Sequence, residues 1–151
     1  MQSAYGELRE ESSGGTTIIL WDAGDWTGWE TSSGGESLLT SYTYSLPSDR
    51  IHIDAWGKGM YKINFKIDCK INRNDSIFKA TVFKNWVEQT GLNTYLRTGD
   101  QGSDYVNGKI QGLMALVVWD YVDVRFTNMT HNNRQIELYN ASLILDRKKK
   151  Q

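Results

Sequence analysis

Residues 59–71 read Gly-Met-Tyr-Lys-Ile-Asn-Phe-Lys-Ile-Asp-Cys-Lys-Ile and alternate apolar with polar side chains. From Tyr61 to Ile71 every second residue is apolar, and lysine, asparagine or aspartate fills the positions between. A period of two is the repeat of a β-strand, whose successive side chains point to opposite faces of a sheet. The segment therefore predicts a long strand with one buried face and one polar face.

Other segments repeat this β-rich character, with turn residues between them and no long stretch at helical spacing. Residues 108–118 are nearly all apolar, which predicts a strand covered on both faces. We predict an all-β fold, a two-sheet antiparallel jelly-roll sandwich of about eight or nine strands. A closed barrel and an immunoglobulin-like sandwich stay open as alternatives, because strand count does not set topology. The predicted strands are residues 16–21, 38–46, 51–55, 59–71, 77–84, 94–98, 108–118, 122–127 and 136–145.

The length of 151 residues suits a single domain. Residues 1–15 carry few large apolar groups and end in Ser-Ser-Gly-Gly, which predicts an N-terminal arm ahead of the domain. The jelly-roll domain is predicted to cover residues 16–146. Residues 147–151 form a basic C-terminal tail, interpreted as solvated.

The charge and apolar pattern exclude several classes of partner. Seventeen lysines and arginines against eighteen acids give a net charge of −1, so no global field favours nucleic acid. No apolar run approaches the roughly 20 residues of a membrane helix, and the N-terminus lacks a signal-peptide pattern. We therefore expect neither nucleic acid binding nor membrane insertion. Cys69, the single cysteine, is predicted to be a small buried hydrophobe.

No catalytic or metal motif is present in the sequence. The two histidines, His52 and His131, are far apart, and neither belongs to a known hydrolase motif. The acidic, glycine-containing segments 22–25 and 99–104 do not match EF-hand spacing. We expect no enzyme activity, no catalytic residues, no bound metal and no cofactor.

Trp26 and Trp29, with carboxylates close by in sequence, form a candidate glycan platform. Exposed tryptophans beside acids are what stacking on a sugar requires. The alternative, which we favour, is that this loop folds over the edge of the sandwich or onto a neighbouring protomer.

Four motifs in order resemble bacteriophage virion proteins that share the jelly roll of tumour necrosis factor and the complement globular head. They are Gly-Met-Tyr-Lys-Ile-Asn-Phe at 59–65, Phe-Lys-Ala-Thr-Val-Phe-Lys-Asn at 78–85, Asp-Tyr-Val-Asp-Val-Arg-Phe-Thr-Asn at 120–128 and Ala-Ser-Leu-Ile-Leu at 141–145. The start Ala-Tyr-Gly-Glu at 4–7 is similar as well. Two departures are Trp86 and Trp119, where the family commonly has glycine. Because glycine tolerates positive φ without strain, these tryptophans predict a different turn or a longer strand.

The resemblance implies a homotrimer on the virion capsid surface, made in the host cytoplasm without a signal peptide. Its partners would be the major capsid protein or other virion proteins. Six tryptophans and 12% aromatic residues are compatible with a protein interface. As a hypothesis, the trimer contact is lined by charged and aromatic residues that point away from the core, the alternative being a solvated face. These residues are Tyr121, Asp123, Arg125, Lys62 and Lys66.

Two functional classes follow, and both are non-enzymatic. The first is a capsid decoration, or cement, protein that stabilises the shell and docks through its arm. The second is a receptor-binding adhesin of a tail or head fibre that recognises a cell-surface glycan or protein. We favour decoration, since about fifteen residues ahead of the first predicted strand are short for a fibre shaft. The docking arm is predicted to use Ala4, Tyr5, Glu7 and Leu8.

Overall fold

The computed structural model describes residues 5–20, 26–28, 36–39, 43–46, 50–53, 58–71, 77–97, 104–129 and 134–148. Every regular element in these ranges is a β-strand, and the strands pair antiparallel. The predicted all-β fold with two antiparallel sheets is confirmed. The strands are β1 Tyr5–Leu20, β2 Trp26–Gly28, β3 Glu36–Leu39, β4 Thr43–Leu46, β5 Arg50–Ile53, β6 Gly59–Ile71, β7 Ile77–Lys84, β8 Val87–Arg97, β9 Asp104–Leu116, β10 Tyr121–Asn128 and β11 Arg134–Arg147.

The first sheet has five strands in the order β3-β1-β11-β6-β9. Strand β6, with the two-residue alternation, is the fourth in this order; it pairs with β9 from Gly59 to Ile71 and with β11 on its other side. A register shift between Leu138 and Asn140 marks an irregularity in β11.

The second sheet has six strands, five of them in the order β4-β5-β10-β7-β8. The short strand β2 pairs with β10 at residues 125–127, while β5 pairs with the same strand at residues 121–122. Strands β2 and β5 therefore occupy successive parts of one side of β10.

The core lies between the two sheets and is built by the alternation in their long strands. In β6 the six apolar residues from Tyr61 to Ile71 are buried, and Lys62, Lys66 and Asp68 between them are exposed. In β10 the inward residues are Val122, Val124 and Phe126, and Phe126 meets Phe65 of the opposite sheet at 6.4 Å between ring centroids. Burial on one face is what the periodicity predicts. Other core residues are Ile51, Ile53, Phe78, Ala80, Val82, Leu96, Ile110, Met114, Leu116, Ile136, Leu138, Ala141, Leu143 and Leu145.

The N-terminal residues do not form a separate arm. Strand β1 begins at Tyr5 and pairs with β11 from Tyr5↔Asp146 to Glu11↔Asn140 and again from Thr16 to Leu20. Residues 6–9 pair with β3 on the other side. The prediction of an arm is wrong for residues 5–11, because their backbone is paired within the first sheet. Ala4 lies outside the described residues.

Several boundaries differ from the sequence prediction. Residues 38–46, predicted as one strand, contain parts of β3 and β4, which belong to different sheets. Trp26–Gly28 was predicted as loop and is a short strand. Strand β9 is not covered on both faces: Leu113 on its outer face is 54% exposed. At the C-terminus β11 continues through Arg147, and the Lys148 amide donates to the Met60 carbonyl, so the basic tail begins later than predicted.

Two glycines in β9 allow the open side of the sandwich to close. A Cβ on Gly112 would lie 2.2 Å from Leu92 Cδ2, and one on Gly108 would lie 2.6 Å from Leu96 Cδ2. Leu92 and Leu96 of β8, the edge strand of the second sheet, therefore fill the space above the glycines. This packing joins the edges of the two sheets without a hydrogen-bonded ladder.

Candidate binding surface

Cationic and aromatic side chains form a continuous series of contacts on the outer face of the second sheet. We call this series the cation–aromatic strip. Each member contacts the next through an edge-to-face or tilted ring pair, or through a cation lying over a ring. In order, the strip is Arg97, Tyr95, Lys79, Trp26, Phe83, Arg125, Trp86, Arg50, Tyr121 and His52.

The strip arises from the same alternation that builds the core. Because Val122, Val124 and Phe126 of β10 point inward, Tyr121 and Arg125 point outward. Cross-strand pairing then sets neighbours beside one another: Tyr121 pairs with His52, and Lys79 pairs with Tyr95. These pairs are the sheet equivalent of neighbouring residues on a helix face.

Two arginines meet at Trp86. The Arg125 Cζ lies 4.4 Å from the Trp86 ring centroid and 4.5 Å from that of Phe83. The Arg50 Cζ lies 5.2 Å from the Trp86 centroid and 4.7 Å from that of Tyr121. Arg125 Nε also donates to Asp123 Oδ2 at 2.8 Å, so this guanidinium is charge-compensated within the protomer.

The other part of the strip is organised around Lys79. Its Nζ lies 6.0 Å from the Trp26 ring centroid and 5.9 Å from that of Tyr95, and it donates to Glu88 Oε1 at 3.0 Å. Arg97 follows, with its Cζ 5.9 Å from the Tyr95 centroid. Trp26 meets Phe83 edge to face at 5.0 Å, and this contact joins the two parts of the strip.

Trp86 is held in place by an unusual turn. Asn85 and Trp86 form a two-residue connection between β7 and β8, with φ of 51° and 70°. Positive φ at both central residues is the requirement of a type I′ hairpin turn. Trp119, in the connection between β9 and β10, has φ of 73°. The expectation that tryptophan at position 86 changes the turn is wrong: both tryptophans keep the left-handed backbone typical of glycine.

Hydrogen bonds explain why these turns tolerate a Cβ. The Asn85 side chain donates to Asp120 Oδ1 at 2.7 Å and accepts from the Tyr121 amide at 3.0 Å. Asp120 Oδ2 accepts from the Val117 amide at 2.8 Å. Lys84 Nζ lies 3.7 Å from the same oxygen. The surrounding contacts thus specify the strained conformation.

The strip is accessible at two places. Trp86 is 63% exposed and Tyr95 is 45% exposed, whereas Phe83 between them is buried. Among the described residues, Arg50 and Arg97 contact rings but have no carboxylate within salt-bridge distance. Each accessible place therefore combines an aromatic ring with a guanidinium that no described carboxylate neutralises.

Buried polar atoms lie beneath the strip. Thr81 Oγ1, Asp123 Oδ1 and Thr127 Oγ1 have no hydrogen-bond partner among the described residues. Thr81 pairs with Arg125 and Asp123 pairs with Phe83 across β7 and β10. Their outward positions show that the face holds hydrogen-bonding groups as well as rings and charges.

His52 and Cys69 are among the groups with shifted pKa values. Burial, and secondly the Arg50 guanidinium, lower the pKa of His52, because both disfavour the imidazolium form. Burial, and secondly Asp68, raise the pKa of the Cys69 thiol to about 12. Cys69 is a buried core residue, as the sequence predicts, and the raised pKa keeps its thiol protonated at neutral pH.

The residues of the predicted trimer contact do not share one surface. Tyr121, Asp123 and Arg125 lie on the outer face of the second sheet, and Lys62 and Lys66 lie on the outer face of the first. The core separates the two sets. Asp123 is buried and its Oδ2 accepts from Arg125 Nε, so this ion pair forms within one protomer.

The other predicted site residues are distributed differently. Trp26 is half-buried against Phe83 and Lys79, which agrees with the favoured reading that its loop folds over the sandwich. Trp29 lies outside the described residues. Tyr5, Glu7 and Leu8 belong to β1, and a docking role for them stays a prediction.

The sequence analysis missed most of the strip. Arg50, Tyr95 and Arg97 lie in no motif, and Lys79 lies in one without a predicted role, although Lys79 and Tyr95 each occupy an outward position in a recognisable strand. Only the register between β7 and β8 shows that they are neighbours. Trp86 was noted for its backbone and not as a binding residue.

The described part of the chain contains no group of three or more histidine, cysteine, aspartate or glutamate residues able to hold a metal ion. No helix in those ranges has the length and apolar character to cross a bilayer.

Comparison with known proteins gives a match at the level of structure alone. No protein-family model matches the chain, and no curated protein sequence matches it. The structure of Eiger TNF from S. frugiperda is similar, with a TM-score of 0.65 and 9% identity over 99% of this chain and 96% of that one. Murine APRIL has a TM-score of 0.64 at 13% identity over 97% of this chain and all of that one.

A viral protein is similar to the same extent. PRD1 vertex protein P5 has a TM-score of 0.62 and 14% identity, with 97% of each chain covered. The fold is a tumour-necrosis-factor-like jelly roll. At these identities the likeness establishes the fold, and it leaves the functional role to the surfaces of this chain.

Proposed function

We propose that this chain is a structural protein of a bacteriophage virion and that it acts as a homotrimeric capsid decoration protein. The observation that carries the proposal is the alignment of the jelly roll with PRD1 vertex protein P5 over 97% of both chains. The four motifs that resemble phage virion proteins lie on β6, β7, β10 and β11, inside this jelly roll. The identity of 14% makes the role a proposal and not a consequence of the match.

In this role the protein would stabilise the shell by mass action. A ligand that binds the assembled capsid and not its separated subunits shifts the equilibrium towards the assembled form. Because residues 6–9 pair on both sides, with β11 and with β3, they are not available as a flexible tether. Docking would then use a preformed surface of the domain.

The outer face of the first sheet supports self-association. Leu113 and Tyr105 on β9 are 54% and 70% exposed, and both lie on this face with Lys62 and Lys66. The Tyr105 ring lies 5.6 Å from that of Tyr139 on β11. Large apolar groups on a polar face are typical of an interface. We propose that this face forms the subunit contact.

The oligomeric state tests this part of the proposal. Light scattering on the purified full chain at micromolar concentration is expected to report three times the monomer mass. Leu113→Glu is expected to shift the mass towards the monomer, whereas the matched variant Val87→Glu, on the second sheet and also exposed, should leave it unchanged. A monomeric wild-type protein at this concentration would contradict the proposed trimer.

The position in the particle tests the decoration role. Electron cryomicroscopy of purified virions carrying a labelled copy of the chain should show density on the head at local threefold positions. Density at the tail tip alone would contradict decoration and select the alternative, a receptor-binding adhesin. The adhesin is favoured by one observation, the two accessible ring–guanidinium places of the cation–aromatic strip.

A further inference from the structure

We propose that the cation–aromatic strip binds an acidic polysaccharide, a sugar polymer that carries carboxylate, sulfate or phosphate groups. Binding would take place at the two accessible places, Trp86 with Arg50 and Tyr95 with Arg97. This site goes beyond the proposed structural role and does not depend on the subunit contact or on the position of the protein in the particle.

The described strands of the second sheet, with the turn before β10, carry a charge opposite in sign to that of the whole chain. Among the described residues of β5, β7, β8, β10 and the turn before β10, five lysines and arginines face three carboxylates. The chain as a whole has a net charge of −1. The second sheet is therefore locally cationic, which favours an anionic partner. The cations are Arg50, Lys79, Lys84, Arg97 and Arg125, and the carboxylates are Glu88, Asp120 and Asp123.

The rings orient the guanidinium groups before any ligand arrives. Arg50 lies between the Trp86 and Tyr121 rings, with its Cζ 5.2 and 4.7 Å from their centroids. Stacking on aromatic rings leaves the in-plane N–H donors of arginine free to pair with a carboxylate, sulfate or phosphate. Since the side chain is already ordered, less conformational entropy is lost on binding.

Arg50 and Arg97 have no carboxylate partner among the described residues, and the distribution of these two uncompensated cations disfavours nucleic acid. Arg97 pairs with Ile77 at one end of β7. Arg50 precedes Ile51, which pairs with Val122 of β10, and Val122 pairs in turn with Lys84 at the other end of β7. Along the strands these positions are about 20 Å apart at 3.3 Å per residue. Double-stranded DNA carries a charge every 1.7 Å or so of its axis, and its affinity depends on many phosphate contacts. Two widely spaced guanidiniums provide too few phosphate contacts for a nucleic acid site.

The exposed rings distinguish a sugar from an acidic peptide. Trp86 is 63% exposed and Tyr95 is 45% exposed, and each ring is beside one of the uncompensated guanidiniums. A sugar ring presents apolar C–H groups on one face and hydroxyl groups around its edge. A charged sugar can therefore stack on the aromatic ring and pair its acidic group with the neighbouring guanidinium. Acidic peptides supply the charge but present no flat apolar face at each charged unit.

Titration calorimetry on the purified full chain tests the proposal, with polygalacturonate oligosaccharides as the carboxylated probe and sulfated dextran oligosaccharides as the sulfated one. We expect saturable binding of at least one acidic probe and none of neutral dextran. The double variant Arg50→Gln/Arg97→Gln is expected to weaken binding at least tenfold. The matched variant Lys66→Gln/Lys109→Gln removes the same charge from the opposite sheet and should change affinity less than twofold.

Two further measurements keep the result interpretable. A thermal melt shows whether the double variant folds; if it does not, Trp86→Gly, which retains the left-handed backbone, replaces it and is expected to lose affinity at least fivefold. The proposal is overturned if the acidic oligosaccharides do not bind at millimolar concentration, or if both double variants lose affinity equally. Tighter binding of a poly-glutamate peptide or a single-stranded oligonucleotide would also overturn it.

Discussion

The Asn85 amide donates to the Asp120 carboxylate at 2.7 Å and thereby joins the two connections that carry the exposed tryptophans. Asn85 lies in the β7–β8 turn within the second sheet, and Asp120 ends the connection that leads from the first sheet to the second. The backbone N–H of Asn85 also donates to the Tyr121 carbonyl at 3.1 Å. One asparagine therefore sets the relative position of two turns from different strand pairs.

Substitution of Asn85 should lower stability by more than the loss of one exposed polar group. Asn85→Ala removes two side-chain hydrogen bonds, one of them to a carboxylate, and places alanine at a φ of 51°. We expect a loss of about 2–3 kcal/mol in the free energy of unfolding, measured by urea denaturation. Asn107→Ala, at an exposed position of β9, should change it by less than about 0.5 kcal/mol. Equal effects of the two variants would contradict the role of Asn85.

The left-handed backbone of Trp119 predicts an unusual order of substitutions. Because glycine adopts a φ of 73° without steric cost, Trp119→Gly should be more stable than Trp119→Ala by about 1 kcal/mol. At Leu113, within β9, the order should reverse, since glycine weakens a strand. Thermal or urea unfolding of the four variants checks both orders. If alanine is the more stable variant at position 119, the strained turn is not the state in solution.

Closure of the sandwich edge should depend on the absence of a side chain at Gly108. A Cβ there would lie 2.6 Å from Leu96 Cδ2 and 3.0 Å from Ile67 Cγ2. Since both neighbours are buried, we expect Gly108→Ala to cost about 1–3 kcal/mol in the free energy of unfolding.

A double-mutant cycle separates this clash from a general effect on β9. Leu96→Ala alone should be destabilising because it empties a buried site. Combined with Gly108→Ala, it should cost less than the sum of the two single changes, because the smaller side chain makes room for the Cβ. Additive costs would show that Leu96 does not pack against Gly108.

Stability should fall as the pH decreases through the range in which His52 takes up a proton. Its folded-state pKa is lowered, so the unfolded chain, with a pKa of about 6.5, binds the proton first. The stability that neutral His52 contributes to the folded state is therefore present above about pH 6.5. It is lost as the pH falls towards and through the folded-state pKa. His52→Gln should flatten the pH dependence of the free energy of unfolding between about pH 7.5 and 5, and His131→Gln serves as the matched control.

The alternation of apolar and polar residues was sufficient to predict the central strands. In β6, β7 and β10 the predicted inward and outward sides agree with the structure, because a two-residue period is a local property of the chain. The second part of β1, from residue 16, was predicted as a strand, but its first part could not be predicted from its own residues. Its segment from Tyr5 to Glu11 contains few large apolar groups, and its place in the sheet depends on pairing with β11, more than a hundred residues away in sequence.

The sequence by itself determined the class of fold, the buried face of the central strands and the burial of Cys69. Only the tertiary structure decided that residues 38–46 divide between two sheets and that Arg50, Trp86 and Arg125 meet on one face. The physical reason is that side-chain periodicity depends on neighbours along the chain, whereas lateral contacts depend on strand order and register. Those are set by the packing of the whole sandwich.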